Sequence, residues 1–349
     1  MTITRPYHLS LVTLDNFDSI LVRIQADGKE GFGETTDIPG YFHETPEDAW
    51  DFIERWGPKL LNKDPESIFQ EISETEETLS FAATPLLTAL EEWLDAKNGR
   101  HREEIRLPLL GIVQGESVRD LVADAERLQE QGFGTLKFKV GFEVEEDLER
   151  LKAVQKTLNR GVRIRIDANQ GYDYDQAGAF LTALDPEGIE LFEQPLAADA
   201  WDEMLRLAEI KTVPLMLDEA ISSEEDLDKI IETGCAQAVK FKLMKCGSRA
   251  ELTRFIHKAR SAGLKVILGN GVALDMGCRH EALVLKDTGL TGNAGEMNGF
   301  LKCKIPSLEP ELVFEEGHLL IPAGEPRIRW DVLSRLAVRE MTWGKMNDE

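Results

Sequence analysis

The sequence predicts an α/β protein in which a (β/α)8-type barrel adjoins a separate α+β segment. Between Leu107 and Leu301, short apolar strand patterns alternate with amphipathic helix patterns. That order is typical of parallel α/β folds. Eight strand patterns occur in this stretch, which is the number that closes a barrel. The first hundred or so residues have a different texture, so we expect them to form their own unit.

The N-terminal segment contains a hairpin followed by two helices. SILVRIQADGKEGFGET has alternating apolar residues around a turn at residues 26–28, a pattern that predicts two antiparallel strands. Helix patterns follow at about 46–61 and 84–98, and the second has Thr84 at its start and Gly99 after its end. Because chain termini often lie close together, we expect the tail to pack back on this segment. The expected division is a capping segment at 1–104, a barrel at 105–305 and a tail at 306–349.

The barrel strands can be assigned in chain order. They are LPLLGIV, TLKFKV, VRIRID, IELFE, PLMLD, QAVKFKL, KVILGN and, more weakly, the stretch before GEMNG. A doubly wound open sheet is the competing fold. It is disfavoured because no GxGxxG follows the first strand, and GNGVALDMG lacks that spacing and comes after the seventh.

Composition narrows the function classes. The 349 residues include 64 acidic and 40 basic side chains, for a net charge of −24. This charge argues against nucleic acid or an anionic membrane surface as a partner. No secretory signal or apolar run of about 20 residues is visible, and the four cysteines form no CxxC pair. We therefore expect a cytoplasmic protein with reduced thiols.

Charged or amide side chains lie at the ends of five consecutive strand patterns. In a barrel these ends meet at one face, where catalytic residues lie. From Lys139 to Lys242 the steps between successive strand ends are 28, 26, 25 and 24 residues, so we expect a ring at a single level. The side chains are Lys137 and Lys139 on strand two, Asp167 and Asn169 on strand three, Glu193 on strand four, Asp218 and Glu219 on strand five, and Lys242 on strand six.

Three carboxylates in one barrel mouth would repel each other unless a cation lies between them. An all-oxygen set suits Mg²⁺ before Mn²⁺ or Ca²⁺. Lysines beside such a cation are expected to have a depressed pKa, which makes a neutral amine available as a base. A metal with lysine bases suits removal of a proton from the carbon next to a carboxylate.

The ordered motifs KFK, DAN, FEQP, DEA and KFKLMKCG resemble the mandelate racemase and muconate lactonizing enzymes of the enolase superfamily, and most of all the muconate lactonizing branch. The similarity covers nearly the whole chain. It implies a modified TIM barrel of (β/α)7β type, with an α+β capping domain made from the N-terminal segment and the C-terminal tail. It also implies a homo-oligomeric, Mg²⁺-dependent enzyme (Mn²⁺ as a possible substitute) that abstracts the proton α to the carboxylate of a small molecule through a metal-stabilised enediolate.

The resemblance assigns roles to the strand-end residues. Asp167, Glu193 and Asp218 would be the Mg²⁺ ligands. Lys139 and Lys242 would be the acid and base groups on the two faces of the substrate carbon. Further roles are substrate-carboxylate binding for Lys137, and orientation of ligands and lysines for Asn169 and Glu219.

The chain departs from the family at Lys240, where asparagine is more common. Because Lys240 lies two residues before Lys242, we expect it deeper in the barrel in a structural ion pair, with a catalytic role as the alternative. Strand eight offers Glu296 and Asn298 on one face of GEMNGFL. Their position resembles the acidic pair that holds the substrate ammonium in dipeptide epimerases, and here it suggests a cationic amine. Asn270, after strand seven, is a further substrate-binding candidate.

Several reactions fit this constellation. We favour a racemase or epimerase acting on an N-modified or proline-like amino acid or a dipeptide. The alternatives are a dehydratase or other lyase acting on a hydroxylated amino acid or related acid, and a cycloisomerase or o-succinylbenzoate-synthase-like enzyme. Outside this class stand a non-catalytic binding protein and a Schiff-base aldolase. Specificity is expected in the loops near 14–18 and 36–46, where His43 could touch substrate although an exposed position is favoured.

Overall fold

The structure is a computed structural model that describes residues 1–8, 13–75, 80–100, 103–270 and 272–344. The N-terminal part begins with two antiparallel strand pairs, β1 with β2 and β3 with β4. Three helices, α1 to α3, follow, with a 3-10 helix after α1. The bounds are β1 Thr2–His8, β2 Thr13–Asn16, β3 Ser19–Ala26, β4 Lys29–Thr36, α1 Pro46–Trp56, the 3-10 helix Gly57–Leu61, α2 Pro65–Thr75 and α3 Thr84–Asn98.

Helix α3 lies directly against the β3–β4 hairpin because two glycines of β4 leave room for it. A Cβ on Gly31 would lie 2.1 Å from the carbonyl oxygen of Ala89, and one on Gly33 would lie 2.1 Å from Thr88 Oγ1. The GFG sequence of the predicted hairpin therefore permits contact between helix and strand backbones. The apolar face formed here includes Trp93, which is fully buried.

The middle of the chain is a curled sheet of seven parallel strands whose spatial order follows the chain order from β6 to β12, which confirms the predicted α/β class. The strand before this sheet is β5 (Ile105–Pro108), and the sheet strands are β6 Gly111–Ile112, β7 Thr135–Lys139, β8 Arg163–Asp167, β9 Ile189–Glu193, β10 Leu215–Leu217, β11 Ala238–Phe241 and β12 Lys265–Leu268. The helices are α4 Val118–Glu130, α5 Val144–Gln155, α6 Tyr174–Ala183, α7 Trp201–Leu207, α8 Glu224–Thr233, α9 Leu243–Cys246, α10 Arg249–Ser261 and α11 Asp275–Asp287.

Two strand patterns differ from the prediction. LPLLGIV does not form one strand: β5 pairs with the tail strand β15, and β6 pairs with β7 in the barrel sheet. The weak eighth pattern is a single bridge residue, Gly295, paired in parallel with Leu109. The next residue, Glu296, donates its N–H to the Leu268 carbonyl at 3.1 Å. These bonds connect β12 to the start of the barrel at the eighth position.

The tail contacts both the first segment and the barrel. Within it, β14 and β15 extend a sheet with β5, while β13 pairs with β16. Leu308 and Ile328 pack in one cluster with Ile3 and Phe17 near the N-terminus. The boundaries at residues 104 and 305 stay a prediction. The tail elements are the 3-10 helix Gly299–Leu301, β13 Leu308–Glu309, β14 Val313–Glu315, β15 His318–Ile321, β16 Arg327–Ile328 and α12 Trp330–Leu333.

Buried charges join α3 to the barrel helices. Arg249, at the start of α10, lies 2.6 Å from Asp95, and Arg279 of α11 lies 2.5 Å from Glu92. The neighbouring His280 donates its Nε2–H to the Phe32 carbonyl of β4 at 2.9 Å. Both ion pairs are buried, and removing one partner of a buried pair is strongly destabilising, so these contacts hold α3 to α10 and α11. Among the described helices, none is both long and apolar enough to cross a membrane.

Candidate active site

The predicted side chains lie along the C-terminal edge of the barrel sheet. Lys139 pairs in register with Asp167, and Asp167 with Glu193, across three adjacent parallel strands. Asp218 comes one residue after β10, and Lys242 lies between the end of β11 and α9. The ring expected from the residue spacing is therefore present along this edge.

Two lysines bridge the three carboxylates, which are 1% or less exposed. Lys137 Nζ lies 2.7 Å from Asp167 Oδ2 and 3.1 Å from Glu193 Oε1. Lys240 Nζ lies 2.8 Å from the same Glu193 oxygen and 3.4 Å from Asp218 Oδ2. Each neighbouring pair of carboxylates thus shares one ammonium group. The ion pair expected for Lys240 is present, although its partners are the candidate metal ligands themselves.

Lys242 is held by Asp218 and by a residue of the loop after β4. Its Nζ lies 2.8 Å from Asp218 Oδ2 and donates to the Tyr41 hydroxyl at 2.5 Å. Burial alone would lower the pKa of Lys242, but Asp218 and then Tyr41 raise it above its ordinary value. This direction is opposite to the depressed pKa expected beside a cation, because here the nearest charge is negative.

Tyr41 was not predicted. Its hydroxyl also donates to Asp218 Oδ1 at 3.3 Å, and its ring centroid lies 4.5 Å from Lys242 Nζ. Sequence reasoning named His43 in the same loop, and the structure leaves that side chain exposed. The aromatic and polar residues of the GYFHET loop indicated that one of them could reach the barrel mouth. The sequence did not indicate which residue this would be.

Lys139 differs from Lys242 in its surroundings. It is half-buried at the end of β7. Within the described part of the chain it makes no hydrogen bond or ion pair. One candidate base is therefore available to an incoming molecule, while the other is fixed by the protein.

Asn169 and Glu219 contact each other beside the carboxylates. Asn169 Nδ2 donates to Glu219 Oε1 at 3.0 Å, and its backbone N–H donates to Asp167 Oδ1 at 3.0 Å. Asn169 has a φ of 43°, a left-handed conformation that costs energy in a residue with a Cβ. Burial raises the pKa of Glu219, and the nearby Asp218 raises it further. The orienting role proposed for this pair stays a prediction, and these are the contacts it requires.

Gln194 is a second residue that sequence reasoning missed. It is fully buried, and its Oε1 accepts from the backbone N–H of Asp218 at 3.0 Å and of Ala220 at 3.1 Å. It therefore fixes the Asp218 backbone to the strand end that carries Glu193. The FEQP motif contained this residue, but nothing in the motif indicated the cross-strand contact.

The candidate substrate-binding residues have protein partners. Glu296 accepts from Lys137 at 3.2 Å and from Lys240 at 2.9 Å. Asn298 Oδ1 accepts from Lys302 at 2.6 Å, and the buried Asn270 accepts from the Val272 N–H at 3.1 Å. Direct binding of substrate by these residues stays a prediction. The contacts of Glu296 do not support its expected role as the partner of a substrate amine.

The oxygen atoms of the three carboxylates are the type of ligand that a hard divalent cation binds. Glu193 Oε2 is buried and accepts no hydrogen bond within the described residues, and carboxylate oxygens are the donors that Mg²⁺ uses. Over the same residues, no three Asp, Glu, His or Cys side chains are arranged to hold a metal ion as they stand. Lys137 and Lys240 lie between the oxygens, so the cation would have to replace their contacts.

Comparisons with known proteins identify the family of this chain. The profile of the family described as "Enolase C-terminal domain-like" matches residues 120–325, more than half of the chain. The N-succinyl-L-Arg/Lys racemase of Bacillus cereus is 27% identical over 78% of this chain and 77% of its own. The L-Ala-D/L-Glu epimerase of Bacillus subtilis is 27% identical over 79% of each.

Among solved structures, the muconate lactonizing enzyme from Pseudomonas fluorescens complexed with muconolactone superposes with a TM-score of 0.82. It is 26% identical, with 96% of this chain and 95% of that one covered. The match extends beyond the barrel to the N-terminal segment and the tail. The chain therefore belongs to the enolase C-terminal domain-like family and is an enzyme of the mandelate racemase and muconate lactonizing group of the enolase superfamily.

Proposed function

We propose that this enzyme racemises or epimerises an amino-acid derivative by moving the proton on the carbon next to its carboxylate. The observation that carries the proposal is the position of two lysines. Lys139 ends β7 and Lys242 follows β11, and the three strands between them in the sheet carry the carboxylates. A substrate carboxylate bound over those strands would have a proton-transfer group on each side.

Each lysine carries out one of two proton transfers, on opposite faces of the substrate carbon. The neutral amine of Lys139 takes the α-proton from one face, and the ammonium of Lys242 gives a proton to the other face. Substrate of the opposite configuration reverses these roles. Tyr41 and Asp218 fix the direction of Lys242 through the contacts at 2.5 Å and 2.8 Å.

The carboxylates complete the proposal. Asp167, Glu193 and Asp218 would hold Mg²⁺, with Mn²⁺ as a substitute. When bound, the cation would neutralise the substrate carboxylate and stabilise the negative charge that develops on it. Asn169 and Glu219 would keep the ligands and lysines in position. The similarity to a racemase of N-succinyl amino acids and to a dipeptide epimerase supports an amino-acid derivative as substrate.

A cycloisomerase or lyase is the second candidate, and the contacts of Lys242 favour it. An ammonium held by both Asp218 and Tyr41 could act as a stationary cation while Lys139 alone moves the proton. Similarity to a muconate lactonizing enzyme is compatible with such one-base chemistry.

Proton NMR in D₂O with Mg²⁺ tests the choice against a panel of N-acyl amino acids, dipeptides and prolines. Loss of the α-proton signal together with inversion supports the racemase, provided that Lys139→Ala and Lys242→Ala each abolish the inversion. A new olefinic or ring signal without inversion supports the second candidate. Silence across the panel would reject the amino-acid proposal.

We also propose that the enzyme works in the cytoplasm as a homo-oligomer on a small carboxylate. Light scattering on the purified chain would give its mass directly. A mass equal to the 39.2 kDa of one chain would refute the oligomer.

A further inference from the structure

Lys240 lies in the layer below the catalytic lysine. It is on β11, two residues before Lys242, so both side chains point to the same side of the sheet. Only 2% of Lys240 is exposed, and its Nζ donates to Glu193 Oε1 at 2.8 Å and to Glu296 Oε2 at 2.9 Å.

Glu296 is enclosed by ammonium groups. Each of its oxygens accepts from a different lysine, Oε2 from Lys240 and Oε1 from Lys137 at 3.2 Å. The residue is 6% exposed. Both of its oxygens are therefore occupied by ammonium groups inside the protein. Lys137 is shared with Asp167 and Glu193, and Lys240 with Glu193 and Asp218.

Gly269 provides the space that Lys240 occupies. A Cβ at this position would lie 2.4 Å from Lys240 Cε and 3.3 Å from the Cβ and Cδ atoms of Glu296. Any larger residue after β12 would push the lysine away from its partners. The glycine, the lysine and the glutamate thus form one packed unit across β11, β12 and the bridge at Gly295.

We propose that Lys240 is a specificity-determining residue that makes the site reject a cationic amine and accept amino-acid derivatives whose nitrogen carries no charge. A substrate ammonium near Glu296 would meet a carboxylate whose two oxygens already accept from Lys137 and Lys240, and both ammonium groups would repel it. An amide nitrogen does not meet this repulsion. The inference rests on the proposed function, because it concerns the same site and names the class of amino-acid derivative.

Matched substrates test the inference. Each amino acid of the panel is offered as its N-acetyl form and as its N-methyl or free amine, and kcat/KM for α-proton exchange is compared. We expect the wild type to prefer the N-acetyl form. Lys240→Met should shift the ratio at least about tenfold toward the cationic form, the size expected when one charge contact changes.

Glu296→Gln is the second variant, and it should move the ratio in the opposite direction because Lys137 and Lys240 then lose one of the carboxylates that they share. Damage to folding alone would lower both rates and would not separate the two variants. Lys265→Met is the control, since Lys265 pairs with Glu190 at the start of β12, at the other end of the barrel. This control should keep the wild-type ratio.

The outcomes distinguish a failure of the role of Lys240 from a failure of the proposed racemase function. A wild type that exchanges cationic amines at least as well as N-acetyl forms overturns the inference and leaves the proposed racemase intact. The inference is also overturned if Lys240→Met and Glu296→Gln leave the ratio of kcat/KM values unchanged, or if both variants shift it in the same direction. No exchange with any acid overturns the proposed function and the inference together.

Discussion

His280 couples pH to the stability of the junction between the capping helices and the barrel. Burial lowers its pKa to about 3 from an ordinary value of 6.5, and Arg249 and Arg279 add to the lowering, while Glu92 and the Phe32 carbonyl oppose it. The folded state therefore keeps His280 neutral at a pH where the unfolded chain binds a proton. The contribution of His280 to the unfolding free energy is therefore fully present above pH 6.5. It is lost progressively as the pH falls toward 3.

The expected magnitude follows from linkage. Between about pH 7.5 and about pH 5, protonation of the unfolded state alone should cost about 2 kcal/mol of unfolding free energy. His280→Gln keeps a side-chain N–H for the Phe32 carbonyl but removes the titration. The variant should therefore lose about 2 kcal/mol less than the wild type over that range.

Urea unfolding at both pH values, followed by tryptophan fluorescence, measures the difference. Carboxylates that titrate in both proteins cancel in the comparison. If the unfolding free energy depends on pH equally in the wild type and in His280→Gln, then His280 is not a buried neutral histidine at this junction.

Three further predictions concern the site. Tyr41→Phe, which removes the hydroxyl contact to Lys242, should lower turnover about tenfold with an unchanged melting temperature; unchanged turnover would show that the contact is dispensable. Gly269→Ala should destabilise the fold by about 1–3 kcal/mol through crowding of Lys240, as read from the urea midpoint. Gly134→Ala, which places its Cβ in open space, is the matched control, and equal midpoints for the two variants would contradict the packing argument. Chelation by EDTA should abolish activity, Mg²⁺ should restore it, and calorimetry should show Mg²⁺ binding to the apoprotein; full activity after chelation would reject the cation.

Residue order alone predicted the positions of the strand-end groups. Parallel strands one β/α unit apart must bring their ends to the same edge, so the spacing from Lys139 to Lys242 was sufficient to align Asp167, Glu193 and Asp218. The helix predicted at about 84–98 is also present, as α3. These features depend on local periodicity and on topology, both of which are visible in one sequence.

The contacts across strands could not be predicted in the same way. Which oxygen of Glu193 accepts from Lys240, and that Glu296 lies between two lysines, depend on side-chain directions inside a closed barrel. Tyr41 reaches Lys242 from a loop 201 residues away in sequence, and no periodicity encodes that distance. The first barrel strand was predicted too long because its first residues pair with the tail strand β15, a partner about 210 residues away that local periodicity does not reveal.

The most direct test of the two-base arrangement is α-proton exchange with each pure enantiomer in D₂O. The wild type should exchange both enantiomers. Lys139→Ala should retain exchange with one enantiomer only and Lys242→Ala with the other only, because each remaining lysine serves one face. If both variants lose the same enantiomer, or if Lys242→Ala still exchanges both, the lysines do not act from opposite faces and the proposed mechanism is wrong.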